Sequence, residues 1–303
     1  MYSLCPACSS SQTNAFTASE RMLGLGGNFD YLECQSCGSL WIKSIPSDLS
    51  AYYPANYYAF QAIMPDKNLI QKLKRIRYQI SKVGFSFLDN EYLQWIKNLR
   101  THENESIADI GCGNGNLLWQ LNFCGFKNLQ GFDPFIPEEF DSPSLKIKKL
   151  PLSELKGKFD VLMFHHSFEH FEDPIESFAK ISEILNPRGR VLIRLPVTDG
   201  VVWKNEREYW FQLDAPRHLF IPSVKGMEML GKKFGLKLEK VDFDSLGNQF
   251  WGTDLYKKGG NYVDFDLLGN YSKFKLKEFE KKAQILNANK QGDQAAFYFK
   301  KNE

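Results

Sequence analysis

The 303-residue chain has almost no charge imbalance, with 38 basic residues against 36 acidic ones and a formal net charge of +2. No strong overall field draws such a chain to nucleic acid or to an anionic membrane, so a nucleic-acid partner is not expected, although a local basic patch stays open. Long apolar runs are also missing. The longest, such as Val161–Phe164, fall far short of the roughly 18–20 residues needed to cross a bilayer. The first residues carry two cysteines instead of a basic start and an apolar core, so no secretory signal is expected and the compartment reads as cytoplasmic. No internal repeat with a period of about 20–50 residues is visible. The remainder, 43% hydrophobic and 24% charged, has the ordinary composition of a globular protein, with room for one large domain and a small one.

Cysteines are few, but four of the six are paired as Cys5-Pro-Ala-Cys8 and Cys34-Gln-Ser-Cys37, while Cys112 and Cys124 lie far downstream. Under reducing conditions two thiolates three positions apart on a tight turn suit one tetrahedral ion better than a disulfide frame, and zinc is the default metal. The intervening residues 9–33 number 25, more than the usual spacing of about 15–20. A hairpin with a long loop, Met22–Phe29, would absorb the excess. A four-cysteine shell leaves no open coordination position, so the expected ion is structural. These features set expected boundaries of 1–45 for a zinc ribbon, 46–102 for a helical connecting segment and 103–303 for the main domain.

The connecting segment begins with Tyr52, Tyr53, Tyr57 and Tyr58 and continues with Leu69, Ile70, Leu73, Ile76, Ile80 and Val83. That apolar spacing predicts an amphipathic helix whose other positions hold Lys72, Lys74, Arg75, Arg77 and Lys82. Its basic face reads as a solvated surface packed on the main domain, with a contact to a phosphate-bearing ligand as the sharper alternative. A second helix is expected over Glu91–Leu99.

Residues 107–118 read as a buried strand, a glycine turn at Gly111, Gly113 and Gly115, and the start of a helix. Such glycines let the backbone approach a ligand closely, and the strand before and helix after supply the required context. A second strand ends in Asp133, 22 positions beyond Gly111, near the roughly 20-residue offset at which a carboxylate grips ribose hydroxyls. Alone, Asp133 could equally be a turn residue before Pro134. The turn lacks the Gly-x-Gly-x-x-Gly spacing of a nicotinamide site.

These residues resemble the class I S-adenosylmethionine-dependent methyltransferases. Asp109 to Gly115 looks like their first motif, Asp133 like their ribose-binding acid, Phe159–Phe164 like their fourth strand and Leu185–Ile193 like the helix-to-strand turn before the fifth. The resemblance covers residues 106–301 and implies a Rossmann-like α/β fold. Its doubly wound, seven-stranded sheet has order 3-2-1-4-5-7-6, with an antiparallel last strand that Gln294–Lys301 would fill. It also implies S-adenosylmethionine as cofactor, held by Asp109, Gly111, Cys112, Gly113, Asn114, Gly115, Phe132, Asp133, Pro134 and His165.

In an open parallel sheet, ligands lie beyond the carboxyl ends of the strands at the switch point. Strand four ends in His165-His166-Ser167-Phe168-Glu169-His170, and methyl transfer to a hydroxyl or carbon acid needs an aligned acceptor and a base, a role His166 or His170 could fill. His166, Glu169 and His170 stand at i, i+3 and i+4, so on a helix they could share a divalent metal. The same spelling occurs in metalloproteases, but its setting after a Rossmann-type strand argues against that reading. For His170 an ordinary hydrogen-bonded structural role is the plain alternative.

A second constellation, Trp210 to Leu219, resembles the Trp-x-x-x-Asp-x-Pro-Arg-His-Leu loop of a methyltransferase subgroup acting in small-molecule and cell-surface-glycan pathways. Asp214 could orient His218 as a base while Arg217 binds an anion. Alternatively Asp214 and Arg217 brace the loop and His218 caps the helix near Ser223. The polar stretch from Asp244 to Asn289 is expected to cover the substrate or form an assembly surface. A zinc-binding module also precedes the catalytic domain of sugar C-methyltransferases, so the expected acceptor is a small molecule, a sugar or nucleotide-linked sugar. The rivals are an RNA base methyltransferase, disfavoured by the near-neutral charge, and a cofactor-fold binding module without turnover.

Overall fold

A computed structural model describes residues 3–53, 68–83 and 90–302; Tyr57 and Tyr58 lie outside them, as does the side chain of Leu69. The chain opens with strands β1 (Thr13–Ser19), β2 (Asn28–Cys34) and β3 (Leu40–Ile42). β1 and β2 pair antiparallel from Thr13–Cys34 to Ser19–Asn28. Their long connection is braced by Glu20, whose carboxylate accepts the backbone N–H groups of Leu23 and Leu25.

Helix α1 (Asn68–Lys82) forms where expected, but it is turned differently from the expectation. Its packed face is Tyr78 and Ser81, both buried, with Lys74 Nζ donating to Gln120 Oε1 at 2.6 Å. The apolar stripe faces outward, with Leu73 56%, Ile76 55% and Val83 74% exposed. On the packed face Tyr78 meets an aromatic partner, Phe126, with ring centroids 5.6 Å apart. Helix α2 (Glu91–Leu99) starts at Asn90, whose side chain accepts from Leu93 N, and buries Leu93, Ile96 and Leu99.

The main sheet then assembles as β4 (Ser106–Ile110), α3 (Asn116–Cys124), β5 (Asn128–Phe132), β6 (Phe140–Asp141), β7 (Leu145–Lys148), β8 (Phe159–His165), α4 (Pro174–Ile184) and β9 (Leu185–Pro196). After α5 (Val201–Glu206) come β10 (Phe220–Ile221), α6 (Val224–Lys233) and β11 (Leu236–Phe243). α7 (Asn248–Lys257), α8 (Leu267–Asn270), α9 (Lys273–Ala288) and β12 (Gln294–Lys301) close the chain. The sheet order is β11-β12-β9-β8-β4-β5-β7-β6. Counting from β4 as strand one, and setting aside the two-residue edge strand β6, this is the 3-2-1-4-5-7-6 order. β12 runs antiparallel to both neighbours.

Alternation along the parallel strands separates two cores, as a buried sheet requires. Ala108, Ile110, Leu162 and Phe164 face one side with Phe178 and Ile181 of α4. Ile107, Val161 and Met163 face the other with Ile96 of α2 and Leu118 of α3. The segment expected as a turn before strand five is part of β9 itself. Between the Phe159–Leu185 and Val161–Arg190 pairs the register shifts, so residues 186–189 bulge from a continuous strand.

The N-terminal sheet does not stop at the ribbon. Its order is β1-β2-β3-β10, with Phe220 opposite Trp41 and Ile221 opposite Leu40. Cys5, Cys34, Cys37 and Trp41 belong to the same packed core as Phe178 and Phe220. Among the described residues no helix is long and apolar enough to cross a membrane.

Candidate functional site

The glycine turn follows β4 directly. Gly111 N donates to Phe132 O at 2.7 Å, holding the turn against the end of β5. A Cβ on Gly111 would lie 2.4 Å from Ser167 Cβ, and one on Gly115 would lie 2.3 Å from Ile147 Cδ1. Both positions also have positive φ, so the backbone shape admits only glycine without strain. Asp133 reaches back across this turn: its Oδ2 accepts from Gly113 N at 3.0 Å and its Oδ1 from Phe135 N at 2.9 Å. Asp109 is only 3% exposed and its Oδ1 has no hydrogen-bond partner. Burial, with the like charge of Asp133 added, pushes its carboxyl up to about 8. Burial also raises Asp133. A cradle with no room for side chains and two buried acids, one with an orphaned oxygen, fits a cationic ligand carrying ribose hydroxyls. Asn114 Oδ1 accepts from Asn116 N, and the Cys112 thiol, raised by burial, points its Sγ at Gly113 O.

The end of β8 lies beside the cradle, because Ser167 Oγ donates to Ile110 O at 2.7 Å. His165 is partly exposed, but both its ring nitrogens are enclosed and have no partner, and its ring centroid lies 4.4 Å from that of Trp95. Burial, reinforced by Arg194, keeps it neutral, well below the usual histidine range. His166 adopts φ +51°, and its Nε2 accepts from Arg194 Nη1 at 2.6 Å. Arg194 is itself paired with Asp244.

Glu169 is 0% exposed, and neither carboxylate oxygen has a hydrogen bond. Burial opposes its charge, but His166, with Nδ1 at 3.4 Å, and the fields of His170 and His218 outweigh this and hold the carboxyl at about 2. His170 and His218 lie edge to face with centroids 4.9 Å apart. His170 Nδ1 lies 2.9 Å from Arg217 O and 3.1 Å from Tyr53 Oη. Tyr53 in turn stacks on Phe135, two residues past Asp133. The Tyr53, Phe135 and His170 contacts therefore join the histidine pair to the cradle.

In the loop before β10, Arg217 donates from Nε to Asp214 Oδ2 at 3.1 Å, a second hydrogen bond joins Arg217 Nη2 to Asp214 Oδ1, and Arg217 is 2% exposed. That is the bracing arrangement, not an anion-binding one. Asp214 does not orient His218 through Nδ1, which instead lies 2.7 Å from Gln212 O; Asp214 Oδ2 lies 3.7 Å from the other nitrogen. Burial holds His218 down to about 4. Nor does His218 cap the next helix, since Ser223 does so with its own side chain, accepting from Gly226 N. The loop is tied to the ribbon by Tyr31 Oη donating to His218 O at 2.9 Å and by Ile42 N donating to Leu219 O.

Sequence reasoning missed Tyr31, Tyr53 and Arg194, whose roles depend on contacts 28 to 187 positions apart. No local pattern marks them. The four ribbon cysteines do converge: Cys5 and Cys37 Sγ lie 3.6 Å apart, Cys8 and Cys34 Sγ 3.5 Å apart, and all four lie within 4.8 Å of one another.

Comparison with known proteins gives three findings. A family model described as a methyltransferase domain matches residues 85–241, just over half the chain. The tRNA U34 carboxymethyltransferase of Campylobacter curvus is 26% identical over 224 residues, spanning 67% of this chain and 72% of that protein. The enzyme of the same name from Nautilia profundicola is 26% identical over 152 residues, 44% of this chain and half of its own length. Among solved structures, a methyltransferase–activator complex of Haloferax volcanii overlays on 69% of this chain and 88% of its own, with TM-score 0.49 and 16% identity. The tRNA-modifying relatives overturn the expectation of a sugar-type small-molecule acceptor and the expectation that nucleic acid is not a partner. The charge argument failed because a net value averages over the chain, whereas α1 carries five basic side chains and no acidic one.

Proposed function

This chain belongs to the methyltransferase-domain family, and on that premise we propose that it moves a methyl or carboxymethyl group from an S-adenosylmethionine-type donor to a base of tRNA. The observation that carries the acceptor is the match to tRNA U34 carboxymethyltransferases over as much as 67% of the chain.

When bound, the donor supplies a carbon made electrophilic by the attached sulfonium. The chain's own residues do the rest. The backbone at Gly111, Gly113 and Gly115 admits the donor closely, and Asp133 offers its remaining lone pairs to ribose hydroxyls. A cationic donor beside Asp109 would return that raised acid to its ionised form. Tyr53, His170 and His218 would border the acceptor, and His165 packs on Trp95. Basic groups of α1, with Lys72 and Arg75 exposed, are suited to phosphates flanking the target base.

The four cysteines would hold one structural zinc. Tetrahedral Zn–S bonds of about 2.3 Å place sulfurs roughly 3.8 Å apart, close to the observed 3.5 and 3.6 Å. The compartment proposed is the cytoplasm, where tRNA is modified.

The test is incubation of purified protein and unmodified tRNA with labelled S-adenosylmethionine or its carboxymethyl-sulfonium counterpart, followed by nucleoside digestion. Label in a modified uridine is expected. Donor binding by folded protein without label in any tRNA would overturn the acceptor and favour a cofactor-fold binding module.

A further inference from the structure

Of three histidines at the end of β8, only one joins a cluster that can act on a ligand. His166 is taken up by Arg194 and by the edge of Glu169. Glu169, His170 and, from the separate loop before β10, His218 each offer an atom within 4.8 Å of the others.

The tautomers follow from the partners. A backbone carbonyl can only accept, so the Nδ1 of His170, 2.9 Å from Arg217 O, carries a proton, as does the Nδ1 of His218, 2.7 Å from Gln212 O. Both Nε2 lone pairs are then left as ligand atoms. Locking the second ring nitrogen on a carbonyl is how proteins aim metal-binding imidazoles. Close to these rings lies a carboxylate that is 0% exposed and whose oxygens make no close hydrogen bond. Its one nearby donor is His166 Nδ1, 3.4 Å from Oε1, and a buried carboxylate met only at that distance is costly unless a cation joins it.

We propose that Glu169, His170 and His218 form a divalent transition-metal site beside the donor cradle. Two imidazoles and one carboxylate suit zinc, manganese, iron(II) or cobalt and leave coordination positions open. The contacts from His170 through Tyr53 to Phe135, two residues past Asp133, link this cluster to the cradle. Resting on the function proposed above, its role is to hold an oxygen of the acceptor base and favour that oxygen's ionised form. The set differs from the His166, Glu169 and His170 trio suggested by sequence spacing, because His166 is engaged elsewhere.

The probe is Mn²⁺ added to zinc-loaded full-length protein, without donor or RNA. A soft thiolate shell does not favour manganese, so the ribbon does not compete. Loss of the free-ion electron paramagnetic resonance signal should report one Mn²⁺ per chain, with enhanced water-proton relaxation showing open positions. His218→Ala and Glu169→Gln should each weaken binding at least tenfold while zinc content is retained. Should either variant misfold, the wild-type protein loaded with Co²⁺ gives the reading: weak d–d bands without thiolate charge transfer support the site. No stoichiometric Mn²⁺, wild-type affinity in folded variants, or cobalt bands of thiolate type alone would overturn it. Metal binding without any transfer to tRNA would instead count against the acceptor and leave this site standing.

Discussion

A residue's neighbours decide what its chemistry becomes, and Asp293 is a clear case. It is fully buried, accepts from Trp210 Nε1 at 2.7 Å, and has one oxygen without a partner. Burial, against the bonds from Trp210 and Ser245 and with like-charged Asp244 nearby, pushes its carboxyl up to about 6. The native state therefore holds this proton more tightly than the unfolded chain, so its contribution to stability is complete below about pH 4 and is lost as pH rises through about 6. Two pKa units correspond to roughly 3 kcal/mol. Denaturant titrations of Asp293→Asn should show a gain over wild type at pH 8 that vanishes at pH 4; an equal effect at both would refute the assignment. At Gly111, alanine would meet Ser167 Cβ at 2.4 Å in a left-handed backbone. Gly111→Ala should weaken donor binding more than tenfold by calorimetry and lower stability by about 1–3 kcal/mol, with zinc content unchanged.

Elements were more legible than the faces they present. The helices over Glu91–Leu99 and α1 could be read from spacing, and so could the strand that ends in Asp133. The face that α1 buries could not, because its partners, Phe126 and Gln120, come from a segment 46 or more positions downstream. The loop before β10 shows the same limit: Asp214, Arg217 and His218 stood out in the sequence, but their partners did not. Its end becomes a strand of the ribbon's sheet, so Tyr31 holds the His218 backbone. Tyr31→Phe removes that hydrogen bond and should cost about 1 kcal/mol. It should slow transfer several-fold at unchanged donor affinity, and a full-rate variant would show that the ribbon does not position the loop. On α1, Lys72→Glu with Arg75→Glu should weaken tRNA binding and flatten its salt dependence, each lost phosphate contact reducing the log–log slope by about one. An unchanged slope would remove α1 from the interface.

For the whole molecule, the four-cysteine ribbon and the main domain share one core through Cys34, Trp41, Phe178 and Phe220. Cys34→Ser should therefore lower the melting temperature of the entire chain by roughly 5 °C or more in one calorimetric transition; two separated transitions would mean that the ribbon unfolds alone. Short-range order in the chain announced the glycine turn, the cysteine pairs and, through resemblance, the strand order, because each depends on residue type at close spacing. Net charge misled about the partner because electrostatic recognition depends on where charges lie. By itself, then, the sequence determined the glycine turn with Asp133 beside it and the candidate ligands of the ribbon. Only the tertiary structure decided that His218 joins Glu169 and His170 while His166 turns to Arg194, since those pairings are made by packing between segments that no local spacing connects.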